Sequence, residues 1–385
     1  MSDFDQLIDR SQSDATKWRK YAGKDVLPLW VADMDFAAPP AITAALRERV
    51  NHDVFGYPAH SERATDAVIN ALARDYQWQV QPDWLVWLPG LVVGLNVACR
   101  ATGGNADQVL TAVPVYPPFM SAPTLSERPL SKVPLREIQQ AQGSDWVWDF
   151  DAMRAHLGPG RNTLMLCHPH NPVGRAWRAD ELAQLAAFVE AHDLLVVSDE
   201  IHCDLLLDDG LTHTPFAALS PAMAARTITL MAPSKTYNVP GLGAAFAVIP
   251  DAGLRQRFNR AKAGIVPDIN IFGYVATEAA YRDCTAWRSE LINVLRRNRD
   301  RVVAALDGVA GVRVTRPQAT YLAWIDCRAT GIDHPDAFFE AAGVGLSDGR
   351  DFGAPGFVRL NFGCPLPTLE LALQRMRTAL EQLTR

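Results

Sequence analysis

The chain has 385 residues, of which 48% are apolar and 21% charged, and its net charge is −6. This length allows two or three domains around a large core, and the composition is ordinary for a globular protein. The sequence has no block of like charges and no apolar run near the roughly 18 residues that span a bilayer, so neither nucleic acid nor a membrane is expected as a partner.

The N-terminus and the cysteines indicate the cellular compartment in which the protein is expected. The first residues do not form a basic segment followed by an apolar one, so a signal peptide is not expected. The six cysteines are scattered without paired spacing, which is typical of free thiols in a reducing environment. We therefore expect a cytoplasmic protein.

Short apolar runs alternate with amphipathic stretches from about residue 39 to residue 285, as they do in α/β domains. The apolar runs predict buried strands at 109–113, 163–167, 194–198, 227–231 and 244–249. The amphipathic stretches predict helices at 179–191 and 252–263. Near-continuous apolar strands joined by helical crossovers favour an α/β fold with a mainly parallel sheet and helices on both faces.

The C-terminal part of the chain has a different pattern. One long, Arg-rich helix is predicted over 286–308, followed by strands near 320–325 and 357–361 and a final helix over 368–383. This order predicts a smaller α+β domain. We therefore expect three parts, which are an N-terminal segment (1–45), a large domain (46–285) and a small C-terminal domain (286–385).

Four polar side chains stand out against this pattern: Asn171, Asp199, Lys235 and Arg359. The first three lie at or just after the carboxyl end of a predicted strand, the edge where ligands collect in open α/β sheets. A lysine can form a Schiff base, an aspartate can keep a pyridine nitrogen protonated, and an arginine can fork onto an amino-acid carboxylate. Together these residue types predict a site for pyridoxal 5'-phosphate (PLP) and an amino-acid substrate.

The spacing of Asn171, Asp199 and Lys235 resembles that of fold type I PLP enzymes, the aspartate aminotransferase-like class, over nearly the whole chain. Finer motifs resemble the cystathionine β-lyase / cysteine-S-conjugate β-lyase (C–S lyase) branch. They are WVADMDF (30–36), FGYP (55–58), VYPPF (115–119), DEIH (199–202) and SKTYN (234–238). The resemblance implies the fold type I PLP-dependent transferase fold and a homodimer with shared active sites. It also implies that the first 45 residues associate with the small domain and the active-site entrance.

The resemblance assigns the central roles. Lys235 is expected to attach PLP and to take the Cα proton of the substrate. Asp199 is expected to hold the pyridine nitrogen, Asn171 to donate to the ring 3′-oxygen, and Arg359 to bind the substrate carboxylate. The alternatives from the residues alone are a solvated loop lysine, a helix-capping aspartate, a turn asparagine and an arginine in an internal ion pair.

The phosphate is expected at Gly90, Leu91 and Val92, where a glycine precedes an apolar helix whose first N–H groups are free. Aminotransferases carry a serine and an arginine where this chain has Ala232 and Gly243, so the phosphate must be held differently here.

Tyr116 is expected to stack on the pyridine ring, and Ser234 is a candidate phosphate ligand. Tyr57 resembles a tyrosine that reaches the cofactor phosphate and the substrate from the neighbouring subunit. Trp30 and Asp33, in the WVADMDF motif, are expected to contact substrate.

His202 bears on the type of reaction. Aminotransferases usually place a tyrosine three residues after the aspartate, whereas Asp-Glu-Ile-His is typical of the β-lyase branch. The resemblance therefore implies α,β-elimination from L-cysteine S-conjugates such as cystathionine, giving a thiol, pyruvate and ammonia. A PLP-dependent aminotransferase and a non-enzymatic regulatory protein on the same fold remain alternatives.

Zinc is a rival ligand for part of this region. The CHPH segment (167–170), with His202 and Cys203, offers ligand types that zinc prefers, but the spacing does not match a structural zinc motif. We expect no metal.

Overall fold

A seven-stranded sheet forms the centre of the protein in the computed structural model, which describes residues 3–140 and 144–383. Its strands, in chain order, are β1 (Leu85–Leu88), β2 (Gln108–Val113), β3 (Leu130–Pro134), β4 (Asn162–Cys167), β5 (Leu195–Asp199), β6 (Thr227–Met231) and β7 (Ala245–Val248). The order across the sheet is β1-β7-β6-β5-β4-β2-β3. Neighbouring strands are parallel, except that β7 is antiparallel to both β1 and β6. The predicted mainly parallel sheet is confirmed.

Helices cover both faces of this sheet. In chain order they are α1 (Pro40–Val50), α2 (Glu62–Tyr76), α3 (Leu91–Ala101), α4 (Pro118–Leu125), α5 (Phe150–Ala155), α6 (Ala179–Ala191), α7 (Ala252–Lys262) and α8 (Ile271–Asp283). Because successive strand residues face opposite sides, Val109 packs in the cluster of Leu95 on α3, and Leu110 in that of Leu185 on α6. Such two-sided cover explains why the inner strands are buried along nearly their whole length and are mostly apolar.

A second sheet of four antiparallel strands follows in the described part of the chain, after α9 (Thr285–Leu306). Its strands are β8 (Arg313–Thr315), β9 (Leu322–Asp326), β10 (Ser347–Asp348) and β11 (Phe357–Asn361), in the order β8-β9-β11-β10. Two helices, α10 (Pro335–Ala341) and α11 (Leu366–Leu383), complete this C-terminal region.

The N-terminal segment lies against the C-terminal region. Its strand Leu27–Pro28 pairs in parallel with Val344–Gly345. The remaining strands and α-helices of the described residues are a hairpin, Arg136–Gln139 with Ser144–Val147, and the short helices Thr16–Arg19 and Pro221–Ala224. Within those residues no helix combines the length and the apolar character needed to cross a membrane.

Some elements differ from the predictions. β3 was not predicted, because it lies at the edge of the sheet and four of its five residues, all except Val133, are only partly buried or exposed. β9 begins at Leu322 instead of residue 320, because Thr320 has a left-handed backbone (φ 73°) that a strand does not contain. The last helix begins at Leu366, two residues before the predicted start.

Candidate active site

A cavity of about 440 Å³ lies at the carboxyl edge of the central sheet, where β11 and the N-terminal segment approach it. Eleven of the predicted site residues line it: Trp30, Gly90, Leu91, Val92, Tyr116, Asn171, Asp199, His202, Ser234, Lys235 and Arg359. They come from the end of β5, from the segments that follow β1, β2, β4, β5 and β6 (including the start of α3), from β11 and from the N-terminal segment. Residues up to 329 positions apart in the chain therefore share one cavity.

Lys235 lies four residues after the end of β6, and its Nζ donates to the carbonyl oxygen of Ala32 at 2.6 Å. Burial and the positive charge of Arg359 lower the pKa of Lys235 to about 8, while the carboxylates of Asp33 and Asp199 oppose this shift. The amine is therefore neutral in a much larger fraction near pH 7 than that of an exposed lysine.

Asp199 is the last residue of β5 and is only 3% exposed. Its Oδ1 accepts a hydrogen bond from the backbone N–H of Ile201 at 3.1 Å, and it forms no ion pair with any described residue. Burial raises the pKa of Asp199 to about 7. A buried carboxylate with no cationic partner is costly, and it suits a ligand that brings a positive charge or an N–H donor.

Arg359, on β11, is 5% exposed and also lacks an ion-pair partner among the described residues. Its Nη1 donates to Asn171 Oδ1 at 3.0 Å, and its Nη2 to the carbonyl oxygen of Trp30 at 3.0 Å. Burial lowers its pKa to about 10. Nothing in the described residues supports the alternative of an internal ion pair, and a buried cation of this kind suits a ligand carboxylate.

His202, three residues after Asp199, is buried and lines the same cavity. Burial and the charges of Lys235 and Arg359 lower its pKa to about 3, so the imidazole is neutral. Its Nδ1 has no hydrogen-bond partner among the described residues. Tyr116 lies beside Asn171, to whose carbonyl oxygen its backbone N–H donates at 3.1 Å.

The start of α3 forms another wall of the cavity. Gly90 precedes the helix and lines the cavity, and a Cβ at this position would meet no atom within 4 Å, so the space beside Gly90 at the start of the helix is open. Gly243 lines the same wall with φ 59°, a conformation that favours glycine over the arginine of aminotransferases. The Ser234 hydroxyl forms no side-chain hydrogen bond with a described residue and also faces this cavity.

Two predicted site residues lie elsewhere. The Tyr57 side chain is fully exposed, and it does not line the cavity of its own chain. The Asp33 carboxylate pairs with Arg10 at 2.9 Å and lies 3.7 Å from Lys17 Nζ. It lines an adjoining cavity of about 690 Å³, which shares Lys235 with the first.

Several residues of the two cavities were not predicted from the sequence. Ser347 on β10, and Asp351 and Phe352 in the turn between β10 and β11, line the cavity in a region without a recognisable motif. Asn238 belongs to the SKTYN motif, and its side-chain amide bonds the backbone of Met34 at 2.9 Å in both directions. This amide therefore fixes the N-terminal segment beside the Lys235 loop.

The residues considered for zinc have other contacts. His168 stacks on the ring of His213 at 4.3 Å, and His170 Nε2 lies 2.8 Å from the carbonyl oxygen of Pro114. Across 3–140 and 144–383, no three His, Cys, Asp or Glu side chains are grouped so that they could hold a metal ion.

The fold and this cavity match a known class of protein. The family model "Aminotransferase class I and II" matches residues 24–376, and the chain belongs to this family. Membership confirms the predicted fold type I architecture and the predicted dependence on PLP.

Similarity to individual proteins indicates the branch of this family to which the chain is related. Cystathionine beta-lyase PatB of Bacillus subtilis (strain 168) is 37% identical over 98% of this chain and 99% of its own length. The crystal structure of OvoB superposes with a TM-score of 0.95 at 47% identity, covering 98% of this chain and 99% of that chain. Cystalysin from Treponema denticola, which contains a PLP cofactor, superposes with a TM-score of 0.93 at 31% identity over the full length of both chains. The resemblance to the cystathionine β-lyase branch is thereby confirmed.

Proposed function

We propose that this protein catalyses PLP-dependent α,β-elimination from L-cysteine S-conjugates such as cystathionine, releasing a thiol, pyruvate and ammonia. The observation that carries the proposal is that a buried carboxyl group and a buried guanidinium, neither with an ion-pair partner among the described residues, line one cavity. Asp199 suits the cofactor, Arg359 suits a substrate carboxylate, and Lys235 lies in the same cavity. The similarity to a protein named cystathionine beta-lyase supports the same reaction.

The cavity fits PLP at both ends. The buried carboxylate of Asp199 suits a protonated pyridine nitrogen, and the open space before α3 suits a phosphate. Tyr116 and the neutral His202 would contact the ring and its 3′-oxygen, with Ser234 beside the phosphate. When bound, PLP withdraws electron density from the substrate Cα, so that the Cα–H and Cβ–S bonds can break heterolytically.

Arg359 positions the substrate. Its two Nη atoms already point to Asn171 and to the Trp30 carbonyl, so the guanidinium is held in one orientation before substrate arrives. A carboxylate bound there would be fixed with Cα toward Lys235.

Lys235 moves the proton. Its lowered pKa leaves part of the amine neutral near pH 7, and the neutral amine can take the Cα proton of a bound substrate. The electron pair of the Cβ–S bond leaves with sulfur as a thiolate, and a proton then neutralises the thiolate. The released 2-aminoacrylate hydrolyses in water to pyruvate and ammonia.

The protein acts as a homodimer with shared active sites. Val54, Phe55 and Tyr57 are large apolar or aromatic side chains that are more than half exposed on the single chain, as surfaces that bind a second copy often are. Tyr57 would then reach the cavity of the partner subunit. All six cysteines are free and buried, which supports the cytoplasm as the compartment.

The test separates elimination from transamination. Purified protein is supplied with L-cystathionine, with and without 2-oxoglutarate, and homocysteine, pyruvate and the keto acid of intact cystathionine are quantified. Elimination gives homocysteine and pyruvate at a rate that does not depend on the keto acid. Formation of the intact keto acid only when 2-oxoglutarate is present would establish an aminotransferase, and bound PLP with no turnover would favour a regulatory protein.

A further inference from the structure

Four charged side chains line the main cavity within the described residues: Asp199, Lys235, Arg359 and Asp351. The proposed reaction uses the first three, for the cofactor ring, for proton transfer and for the substrate α-carboxylate. Asp351 has no part in it. Its carboxylate forms no hydrogen bond or ion pair with any described residue, and its side chain is exposed toward solvent.

A rigid turn holds Asp351 at the mouth of the cavity. It lies in the short 3₁₀ helix Gly349–Phe352, where a Cβ on Gly349 would collide with the backbone of Ala354 and Phe357. The carbonyl oxygen of Phe352 accepts a hydrogen bond from the Val115 N–H at 3.1 Å. The backbone around Asp351 is therefore fixed on both sides.

No described cation forms an ion pair with Asp351, although its negative charge attracts the guanidinium groups of Arg350 and Arg359. Arg350, the adjacent cation, pairs with Asp348 and lies 3.7 Å from Asp336. The guanidinium of Arg359 lies 4.6 Å from the ring centroid of Phe352, the residue after Asp351, and its hydrogen bonds go to other residues. Asp351 therefore places a carboxylate without an ion-pair partner in the same cavity as Arg359, near a substrate whose α-carboxylate is bound there.

We propose that Asp351 is a specificity-determining residue that favours S-conjugates whose leaving group carries a positive charge, such as an ammonium. The inference rests on the proposed function, because it assumes that Arg359 holds the α-carboxylate. Opposite charges at the mouth favour binding of such a substrate, whereas a carboxylate on the leaving group would be repelled.

Three substrates of similar length test this: S-(2-aminoethyl)-, S-propyl- and S-(2-carboxyethyl)-L-cysteine. The Asp351→Asn protein is compared with wild type by kcat/KM for pyruvate release and by calorimetric Kd. The kcat/KM for the aminoethyl substrate divided by that for the propyl substrate is expected to fall about two- to fivefold in the variant, as it would on loss of a partly exposed ion pair. The kcat/KM for the carboxyethyl substrate, relative to that for the propyl substrate, is expected to rise. Comparing ratios cancels the intrinsic reactivity of each thiolate.

Asp336→Asn is the matched control, because it removes the same charge near Arg350 but outside the cavity. Its ratios are expected to match those of wild type. Equal changes for all three substrates in Asp351→Asn, or no change in any ratio, would overturn the proposal. If no substrate yields pyruvate, the proposed reaction fails, while the Kd ratios still decide whether Asp351 recognises the charge.

Discussion

Arg359 on β11 donates from Nη1 to Oδ1 of Asn171, which follows β4, at 3.0 Å. This bond joins the C-terminal sheet to the edge of the central sheet, and it fixes the orientation of the amide. Because Oδ1 is occupied, Nδ2 of Asn171 is the atom left to donate to a ligand in the cavity. One bond therefore links the proposed carboxylate site to the proposed contact with the cofactor 3′-oxygen.

Arg359→Lys is expected to lower kcat/KM by roughly ten- to a hundredfold while PLP remains bound, because an ammonium cannot reproduce the planar fork. Steady-state kinetics on a cysteine S-conjugate and on its carboxyl ester check this result. The ester should already be poor for wild type and lose little more in the variant. If the variant discriminates against the ester as strongly as wild type does, Arg359 does not bind the carboxylate.

Asp199→Asn is expected to lower kcat by orders of magnitude, since an amide cannot keep the pyridine nitrogen protonated. The amide oxygen can still accept the Ile201 N–H bond, so the fold should be retained, as thermal unfolding of the variant would verify. A loss of less than about tenfold, or about 1.4 kcal/mol, would leave Asp199 a structural role only.

The attachment of PLP to apoprotein should depend on the ionisation of Lys235. Because the pKa of Lys235 is lowered from 10.5 to about 8, the reactive neutral amine increases as pH rises through about 8. The rate of appearance of cofactor absorbance is expected to level off above this pH. Arg359→Gln removes one cause of the lowered pKa and should move the midpoint upward. A wild-type rate that still rises steeply near pH 10 would contradict the burial of this amine.

The central site was predictable from the sequence because its residues follow buried parallel strands. Asp199 ends β5 and Lys235 follows β6, and parallel strands bring their carboxyl ends to one edge whatever their order. The antiparallel direction of β7 was not predictable, since an apolar run has no direction.

Other features depend on contacts between distant parts of the chain. The ion pairs of Asp33 with Arg10 and Lys17 are set by how the N-terminal segment folds back, which residue patterns do not encode. Asp351 lies in an irregular turn whose approach to the cavity depends on packing between the two sheets. Tyr57 was predicted by resemblance alone, and its role remains a prediction.

Tyr57 is expected to act on the partner subunit's active site. Mixing Tyr57→Phe protein with Lys235→Ala protein, under conditions that allow subunit exchange, should yield mixed dimers with one doubly altered site and one intact site. Activity should rise above that of the separate proteins, with the intact sites contributing about a quarter of the wild-type value at equal mixing.

The control is a mixture of Asp199→Asn and Lys235→Ala proteins. Both of these residues line the cavity of their own chain, so every mixed site keeps one defect and activity should not recover. Lack of recovery in the Tyr57 mixture, after mass spectrometry has verified exchange, would mean that Tyr57 serves only its own subunit.

Covalent attachment of PLP to Lys235 is the assignment on which the other roles depend. The chain offers few competitors, which are Lys17, Lys20, Lys24, Lys132 and Lys262. The direct measurement is borohydride reduction of the PLP-loaded protein, followed by proteolysis and mass spectrometry, with Lys235→Ala as the control. The phosphopyridoxyl mass is expected on the peptide that contains Lys235, and the variant should show neither this label nor turnover. A label on any other lysine, or near wild-type turnover by Lys235→Ala, would contradict the assignment.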